Sequence, residues 1–313
     1  MKIRLCATIA VAAIAVGAIV VPVASASAAH AAVPAAAVSA DSQTRITGLS
    51  VSDGSTYGVG MPVSVTFDKP VADKAAVEKS ITVTSTSGQQ VVGHWFGPER
   101  LDFRPATYWE PGSRVTVDLP AAADASSPGT AGTQDATVEF QVGRSQISTV
   151  DAATHTMTVV RDGKVLRTLP VSAGSPATPT YDGRMVISEM LPEKHMDGAT
   201  VGFTDEDGQP AYDIPDVPHA MRLSSSGTFI HGNYWAPKNV FGTTNTSHGC
   251  IGLSDVKSGD DPLTPAAWFY DNSLVGDVVA VKGSGDKTIA PDNGLSDWNL
   301  PWSAWVRGSA TQA

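Results

Sequence analysis

Apolar residues recur at every second position in many short runs of this chain. This pattern is the feature that most limits what the chain can fold into. Val63, Val65 and Phe67 form one such run, and similar runs follow through most of the chain after about residue 45. A period of two is that of a β-strand with one buried face. Turn sequences such as Glu110-Pro111-Gly112 separate the runs, so the chain is predicted to be mostly β.

The runs divide into two predicted domains. Residues 45–143 hold only short strands and turns, which predicts an immunoglobulin-like β-sandwich without a catalytic group. Residues 144–283 predict a β-rich second domain with one or two helices. One helix is expected to begin at Thr264-Pro265, because threonine is a favoured N-cap and proline suits the first helical position.

Two further segments of this region have distinct patterns. Residues 189–226 are rich in Gly, Pro and Asp with little periodicity, which predicts a long loop that covers a site as a lid. Residues 284–313 are predicted to be a docking tail. Trp298, Trp302 and Trp305 are spaced there as on one helical face, and burial of that face at the domain junction is favoured over stacking on a glycan.

The N-terminal segment has the pattern of an export signal. Residues 1–28 contain Lys2 and Arg4, a 19-residue apolar run and then alternating small residues. This indicates either a cleaved signal peptide or a retained membrane anchor, followed by an Ala-rich linker over residues 29–44. The protein is therefore expected outside the cytoplasmic membrane. The net charge of −10, without a basic cluster, argues against nucleic acid as a partner.

Cys250 is the chemically distinctive residue of the second domain. The only other cysteine, Cys6, lies in the export signal, so an internal disulfide is not expected. A free thiol has a pKa of about 8.5 and is mostly protonated at neutral pH, so a catalytic cysteine needs a nearby imidazole. His231 and His248 are the candidates, and Gly249 leaves backbone amides open to a developing oxyanion.

The residues alone leave alternatives open. A lone cysteine is often an inert core residue. His231, His248 and Cys250 are suitable zinc ligands, although a fourth ligand is not evident. Ser254 and Lys257 match the Ser-x-x-Lys spacing of serine acyltransferases, but the accompanying motifs are missing.

The order of these residues resembles a known family. His231, then fifteen residues, then Ser247-His248-Gly249-Cys250 resembles the signature of L,D-transpeptidases with a YkuD-type catalytic domain. The segments Val51-Ser52-Asp53-Gly54 and Asp297-Trp298-Asn299-Leu300-Pro301-Trp302 are similar to exported two-domain members. The resemblance implies an acyltransferase of the bacterial cell wall that uses no metal or cofactor.

The family chemistry implies roles for two residues. Cys250 would attack a tetrapeptide stem of peptidoglycan and release D-alanine, and the acyl group would pass to the side-chain amine of a second stem as a 3→3 cross-link. His231 would carry the proton in both half-reactions. Peptidoglycan stem peptides are thus the expected partners and carbapenems the expected covalent inhibitors. An L,D-carboxypeptidase and a non-catalytic wall-binding protein remain alternatives.

Matching to the family assigns the remaining positions. Gly232 stands where close two-domain relatives carry serine, so a backbone carbonyl is expected to orient His231. Gly252 replaces an Asn or Arg, so a contact to the donor peptide is expected to be missing. The other assignments are substrate contacts at Tyr212, Ser226 and Gly227, an oxyanion hole at the Gly249 and Cys250 amides, and a turn shaped by Ser247 and His248.

Overall fold

The computed structural model describes residues 44–120 and 136–312. The predicted export signal and most of the predicted linker lie outside the described residues. The described residues all belong to one compact unit. Within the described ranges, no helix has both the length and the apolar character that a membrane crossing requires.

Two four-stranded sheets pack face to face in the first domain. Their strand orders are β1-β3-β6-β5 and β2-β8-β7-β4. Val63, Leu101 and Val117 meet between them, fully buried, so the alternation seen in the sequence does place one face of each strand in the core. The elements are β1 (Ile46–Leu49), β2 (Thr56–Tyr57), β3 (Val63–Phe67), α1 (Lys74–Ser80), β4 (Thr82–Ser85), β5 (Val91–Phe96), β6 (Arg100–Pro105), β7 (Arg114–Leu119) and β8 (Ala136–Val142).

A single nine-stranded sheet organises the second domain, in the order β12-β17-β9-β10-β11-β16-β15-β14-β13. The predicted helix is present as α2, and Thr264 caps it by accepting a hydrogen bond from the Ala267 amide at 3.2 Å. The elements are β9 (Gln146–Asp151), β10 (Thr156–Arg161), β11 (Lys164–Ser172), β12 (Gly183–Val186), β13 (Glu189–Asp197), β14 (Asp213–Arg222), β15 (Phe229–Asn233), β16 (Ile251–Ser254), α2 (Pro265–Asp271) and β17 (Val278–Lys282).

The prediction of a long loop over residues 189–226 is wrong. Most of that segment is the antiparallel hairpin of β13 and β14, with a 3-10 helix at Gly198–Val201 near its tip. Pro192, Pro215 and Pro218 interrupt the period-two pattern that would have indicated strands. β13 is the edge strand of the sheet, where a proline without an N–H is tolerated.

The tryptophans of the C-terminal segment do not share one helix. Trp298 lies in a 3-10 helix (Asp297–Asn299), whereas Trp302 and Trp305 lie in α3 (Trp302–Arg307). The three rings nevertheless surround the guanidinium of Arg104 on β6, at 4.6, 5.7 and 4.1 Å from their centroids. The last residues also meet Glu78 of α1, whose carboxylate accepts hydrogen bonds from the Ala310 amide and from Trp95.

Candidate active site

Two neighbouring parallel strands position the histidine and the thiol. β15 pairs with β16 so that His231 lies opposite Gly252, and Cys250 directly precedes β16. Backbone hydrogen bonds between strands thus set the relative position of the two residues. Both line one cavity of about 390 Å³, and Tyr212 of the β13–β14 hairpin forms part of its wall.

The His231 ring is held in one tautomer. Its Nδ1 lies 2.9 Å from the Gly232 carbonyl oxygen, which can only accept, so Nδ1 carries the proton and Nε2 keeps its lone pair. The ring is buried and stacks on Trp235 at 5.6 Å between centroids. Burial lowers the His231 pKa, and the Gly232 carbonyl and Asp255 partly offset this effect. A neutral imidazole with a free Nε2 can act as a base.

The Cys250 thiol is partly buried and protonated at rest. Its Sγ lies 3.7 Å from the Gly227 carbonyl oxygen. Burial raises the thiol pKa to about 11, against the opposing effect of a hydrogen bond from the Phe229 amide. With a raised thiol pKa and a lowered imidazole pKa, Cys250 and His231 form a neutral pair rather than a thiolate–imidazolium pair.

Ser247 closes the turn before the thiol. Its hydroxyl donates to the Cys250 carbonyl at 2.6 Å and accepts from the Gly249 amide at 3.1 Å. Gly249 has a φ of 112°, which strongly favours glycine. The oxyanion role of the Gly249 amide stays a prediction, and it requires this N–H to leave Ser247.

Tyr212 and His248 form an aromatic wall beside Cys250. Their ring centroids are 5.2 Å apart, and Phe203 packs on His248 at 5.6 Å. Burial raises the Tyr212 pKa to about 12, and Cys250 contributes to this rise once it is a thiolate at high pH. The structure therefore brings the tyrosine matched by sequence into the same cavity as His231.

Ser226 and Gly227 line a second cavity of about 290 Å³, together with His248 and Gly249. Asn293 fixes the serine, because its Nδ2 donates to Ser226 Oγ at 2.8 Å and its Oδ1 accepts from the Ser226 amide at 3.0 Å. His248 also borders the larger cavity. The predicted substrate residues are thus distributed over two adjoining cavities.

Sequence reasoning missed Asn233 and Trp235, which also line the larger cavity. A Cβ added at Gly252 would lie 3.4 Å from the side-chain amide nitrogen Nδ2 of Asn233. Asn233 therefore lies next to the position that a side chain at Gly252 would occupy. A signal for Asn233 did exist. Asn233 follows His231 by two residues, and a strand that continued past His231 would place both on one face.

The two other chemical alternatives find no support in the geometry. The described residues contain no group of three or more His, Cys, Asp or Glu side chains placed to hold a metal ion. Lys257 is mostly exposed and pairs with Asp216 at 3.2 Å on the surface.

This arrangement defines a class of two-domain protein, in which a β-sandwich precedes a mixed sheet that brings a thiol and an imidazole into one cavity. Comparison with known proteins is specific. A model described as the L,D-transpeptidase catalytic domain matches residues 145–281, and one described as a bacterial Ig domain matches residues 23–123.

Among similar proteins is L,D-transpeptidase 2 of Mycobacterium tuberculosis (strain CDC 1551 / Oshkosh), 33% identical over 82% of this chain and 60% of the relative. L,D-transpeptidase 1 of M. tuberculosis (strain H37Rv) is 34% identical over 76% of this chain and 85% of the relative. A structure of the LD transpeptidase LdtMt1 in complex with imipenem aligns with a TM-score of 0.61 and 32% identity, over 76% of this chain and 99% of that chain.

The chain belongs to the L,D-transpeptidase family. The predicted family and the predicted fold class, an immunoglobulin-like domain followed by a β-rich catalytic domain, are therefore confirmed. The chain spans 60% and 58% of the length of the first two curated relatives that it matches.

Proposed function

We propose that this protein is a peptidoglycan L,D-transpeptidase that forms 3→3 cross-links by acyl transfer through Cys250. The observation that carries the proposal is the placement of Cys250 and His231 in one cavity, with the His231 Nε2 lone pair left free because Nδ1 donates to the Gly232 carbonyl. The names of the relatives, all L,D-transpeptidases, support the substrate class. The reaction needs no cofactor.

The first half-reaction consumes the donor stem. As Sγ attacks the carbonyl of the third stem residue, His231 Nε2 takes the thiol proton and a tetrahedral oxyanion forms. The imidazolium then gives this proton to the departing amine of D-alanine, and a thioester remains on Cys250. Because burial raises the thiol pKa to about 11, the proton transfers during the attack and not before it.

The second half-reaction joins the stems. The side-chain amine of an acceptor stem attacks the thioester carbonyl and loses a proton to His231. Cys250 leaves as the thiolate and regains the proton from the imidazolium, so the enzyme returns to its starting state. Each transition state carries a negative oxygen, for which the Cys250 and Gly249 amides are the proposed donors.

The remaining roles concern binding. Tyr212 and His248 form the wall against which a stem would lie, and Ser226 and Gly227 line the adjoining cavity. Gly252 offers no side chain to the donor. Asn233 lies next to Gly252, and we propose that its side chain contacts the donor stem instead.

The proposal includes location and inhibition. The protein is expected outside the cytoplasmic membrane, in or near the wall, with residues 1–28 as signal or anchor. Fractionation of producing cells tests this, and accumulation in the cytoplasm would contradict it. Carbapenems are expected to acylate Cys250, since the similar LdtMt1 was solved in complex with imipenem. Peptide mapping of the adduct separates Cys250 from Cys6.

The deciding experiment supplies purified protein with a defined tetrapeptide stem and weighs the products. A cross-linked dimer with release of D-alanine is the expected result, and Cys250→Ala, of unchanged near-UV circular dichroism, should give none. Tripeptide without dimer would identify an L,D-carboxypeptidase, and no product with bound stem would identify a wall-binding protein. Activity that persists in Cys250→Ala would refute the nucleophile.

A further inference from the structure

The residue after the catalytic histidine has no room for a side chain. A Cβ built on Gly232 would lie 2.1 Å from Oδ2 of Asp255. The Asp255 carboxylate therefore packs directly on the Cα of Gly232. The carbonyl of the same glycine accepts the hydrogen bond from His231 Nδ1. Asp255 thus touches the peptide unit that holds the histidine ring.

Three neighbours fix this carboxylate. Oδ2 accepts from His219 Nδ1 on β14 at 2.7 Å. Oδ1 accepts from the Thr264 hydroxyl and from the Val256 amide, both at 2.9 Å. The Asp255 side chain is fully buried. The carboxylate is thus held by β14, by the N-cap residue of α2 and by the next residue of its own loop. It cannot move away from Gly232 without losing hydrogen bonds.

The arrangement includes a backbone outlier. His219 has a φ of 51°, in the left-handed region that non-glycine residues rarely adopt. In that conformation the His219 ring contacts Asp255 through Nδ1. It also packs against the ring of Tyr270 on α2, with 5.1 Å between the ring centroids. Backbone strain of this kind persists where the surroundings fix the residue, and it concentrates at functional sites.

Charge at this point favours a protonated His231. The Asp255 carboxylate acts to raise the imidazole pKa, against the larger lowering effect of burial. During acyl transfer the imidazole becomes positively charged, so a nearby fixed negative charge stabilises the charged form. Other titratable groups also lie near the ring or near Asp255. In the described part of the chain they include Cys250, Tyr212 and His248 in the cavity, His219 on β14, Tyr270 on α2, and Asp216, Tyr234 and Lys257 beside the end of β15.

We propose that Asp255, held by His219 and Thr264, is a positioning residue for His231. It fixes the Gly232 peptide that selects the His231 tautomer, and it stabilises the imidazolium that forms when the thiol proton is taken. This inference rests on the proposed function for its role in catalysis. The effect of Asp255 on the protonation of His231 does not depend on which substrate the site takes.

The experiment measures the rate at which iodoacetamide alkylates Cys250 in purified protein as a function of pH. This small probe is chosen because it reacts with the thiol without any stem peptide. Wild type is compared with Asp255→Asn, which keeps the shape of the side chain and removes its charge. The first rise in rate, which follows deprotonation of His231, should move to lower pH by about half a unit or more. The rate above that rise should fall by about three- to tenfold, because the weaker base assists less.

The direction of the shift separates the proposed role from a loosened structure. Burial is the largest influence that lowers the His231 pKa, so a loosened site would expose the ring and move the rise to higher pH. A rise that stays in place or moves upward in Asp255→Asn would therefore overturn the proposal.

Two further variants complete the test. His219→Asn can keep the donor to Asp255 and tolerates a positive φ, so it should retain the wild-type profile. Asp260→Asn removes an exposed charge from the same loop and should change nothing. A shift in Asp260→Asn equal to that in Asp255→Asn would refute a specific role for Asp255. If stems are not joined but the Asp255→Asn shift is present, the proposed function fails and the positioning inference stands.

Discussion

Replacement of Arg104 by methionine should loosen the C-terminal segment from the first domain. Arg104 is 1% exposed, and its guanidinium donates to the carbonyls of Pro105, Asp297 and Leu300 at 3.1, 3.3 and 2.8 Å. Methionine fills most of the same volume but cannot donate. The substitution therefore isolates the guanidinium from the packing of its stem.

The magnitude follows from opposing terms. Three hydrogen bonds from a charged donor are worth about 1.5 kcal/mol each at the low end, and desolvated cation–π contacts add about 2 kcal/mol. Burial lowers the Arg104 pKa from 12.5 to about 10, so desolvation of the charged form offsets part of this stabilisation. Arg104→Met should thus lower the free energy of unfolding by about 3 kcal/mol.

Urea unfolding followed by tryptophan fluorescence and by far-UV circular dichroism measures this loss. Arg167 is the matched control, because its guanidinium lies 5.0 Å from the ring of Trp268 on a half-buried surface. Arg167→Met should cost less than about 1 kcal/mol. If Arg104→Met costs no more than this control, the reasoning about the surrounded guanidinium is wrong.

Three other outcomes are expected. Burial and the neighbouring Asp102 raise the Asp297 pKa well above its usual range. The folded state therefore holds a proton on Asp297 and loses stability as pH rises through the folded pKa. The melting temperature of Asp297→Asn should match that of wild type near about pH 4 and exceed it near about pH 8. In His231→Ala, alkylation of Cys250 should keep increasing toward pH 11, because burial raises the thiol pKa to about that value, and a plateau below about pH 9 would contradict it. Gly249→Ala forces a side chain onto a φ of 112° and should slow carbapenem acylation at least about tenfold, measured by intact mass, in a protein that still folds.

Local patterns predicted the elements that depend on local chemistry. The alternation around Val65 gave β3 with its correct bounds, and Thr264-Pro265 gave the start of α2. Local chemistry left His231 and His248 both open as partners of Cys250, and the family resemblance selected His231. These predictions needed no knowledge of what lies across the sheet.

Predictions that depended on distant partners fared worse. The β13–β14 hairpin could not be recognised, because its strand character comes from pairing along the sheet while its prolines hide the period. Asp255 lies between Ser254 and Lys257, whose Ser-x-x-Lys spacing indicates no role for it. Its importance depends on His219, 36 residues earlier, and on the missing side chain of Gly232. Neither contact leaves a trace in local sequence.

The junction between the C-terminal segment and α1 also constrains the order in which this chain can complete its folding. Glu78 and Ala310 are 232 residues apart in sequence and are joined by a hydrogen bond. Contacts of such long range form late, since the intervening chain must first be ordered. Because synthesis proceeds from the N-terminus, α1 and β5 are made well before residues 305–310, which supply partners to both elements. A stop codon just before α3 would therefore harm the domain that was made first.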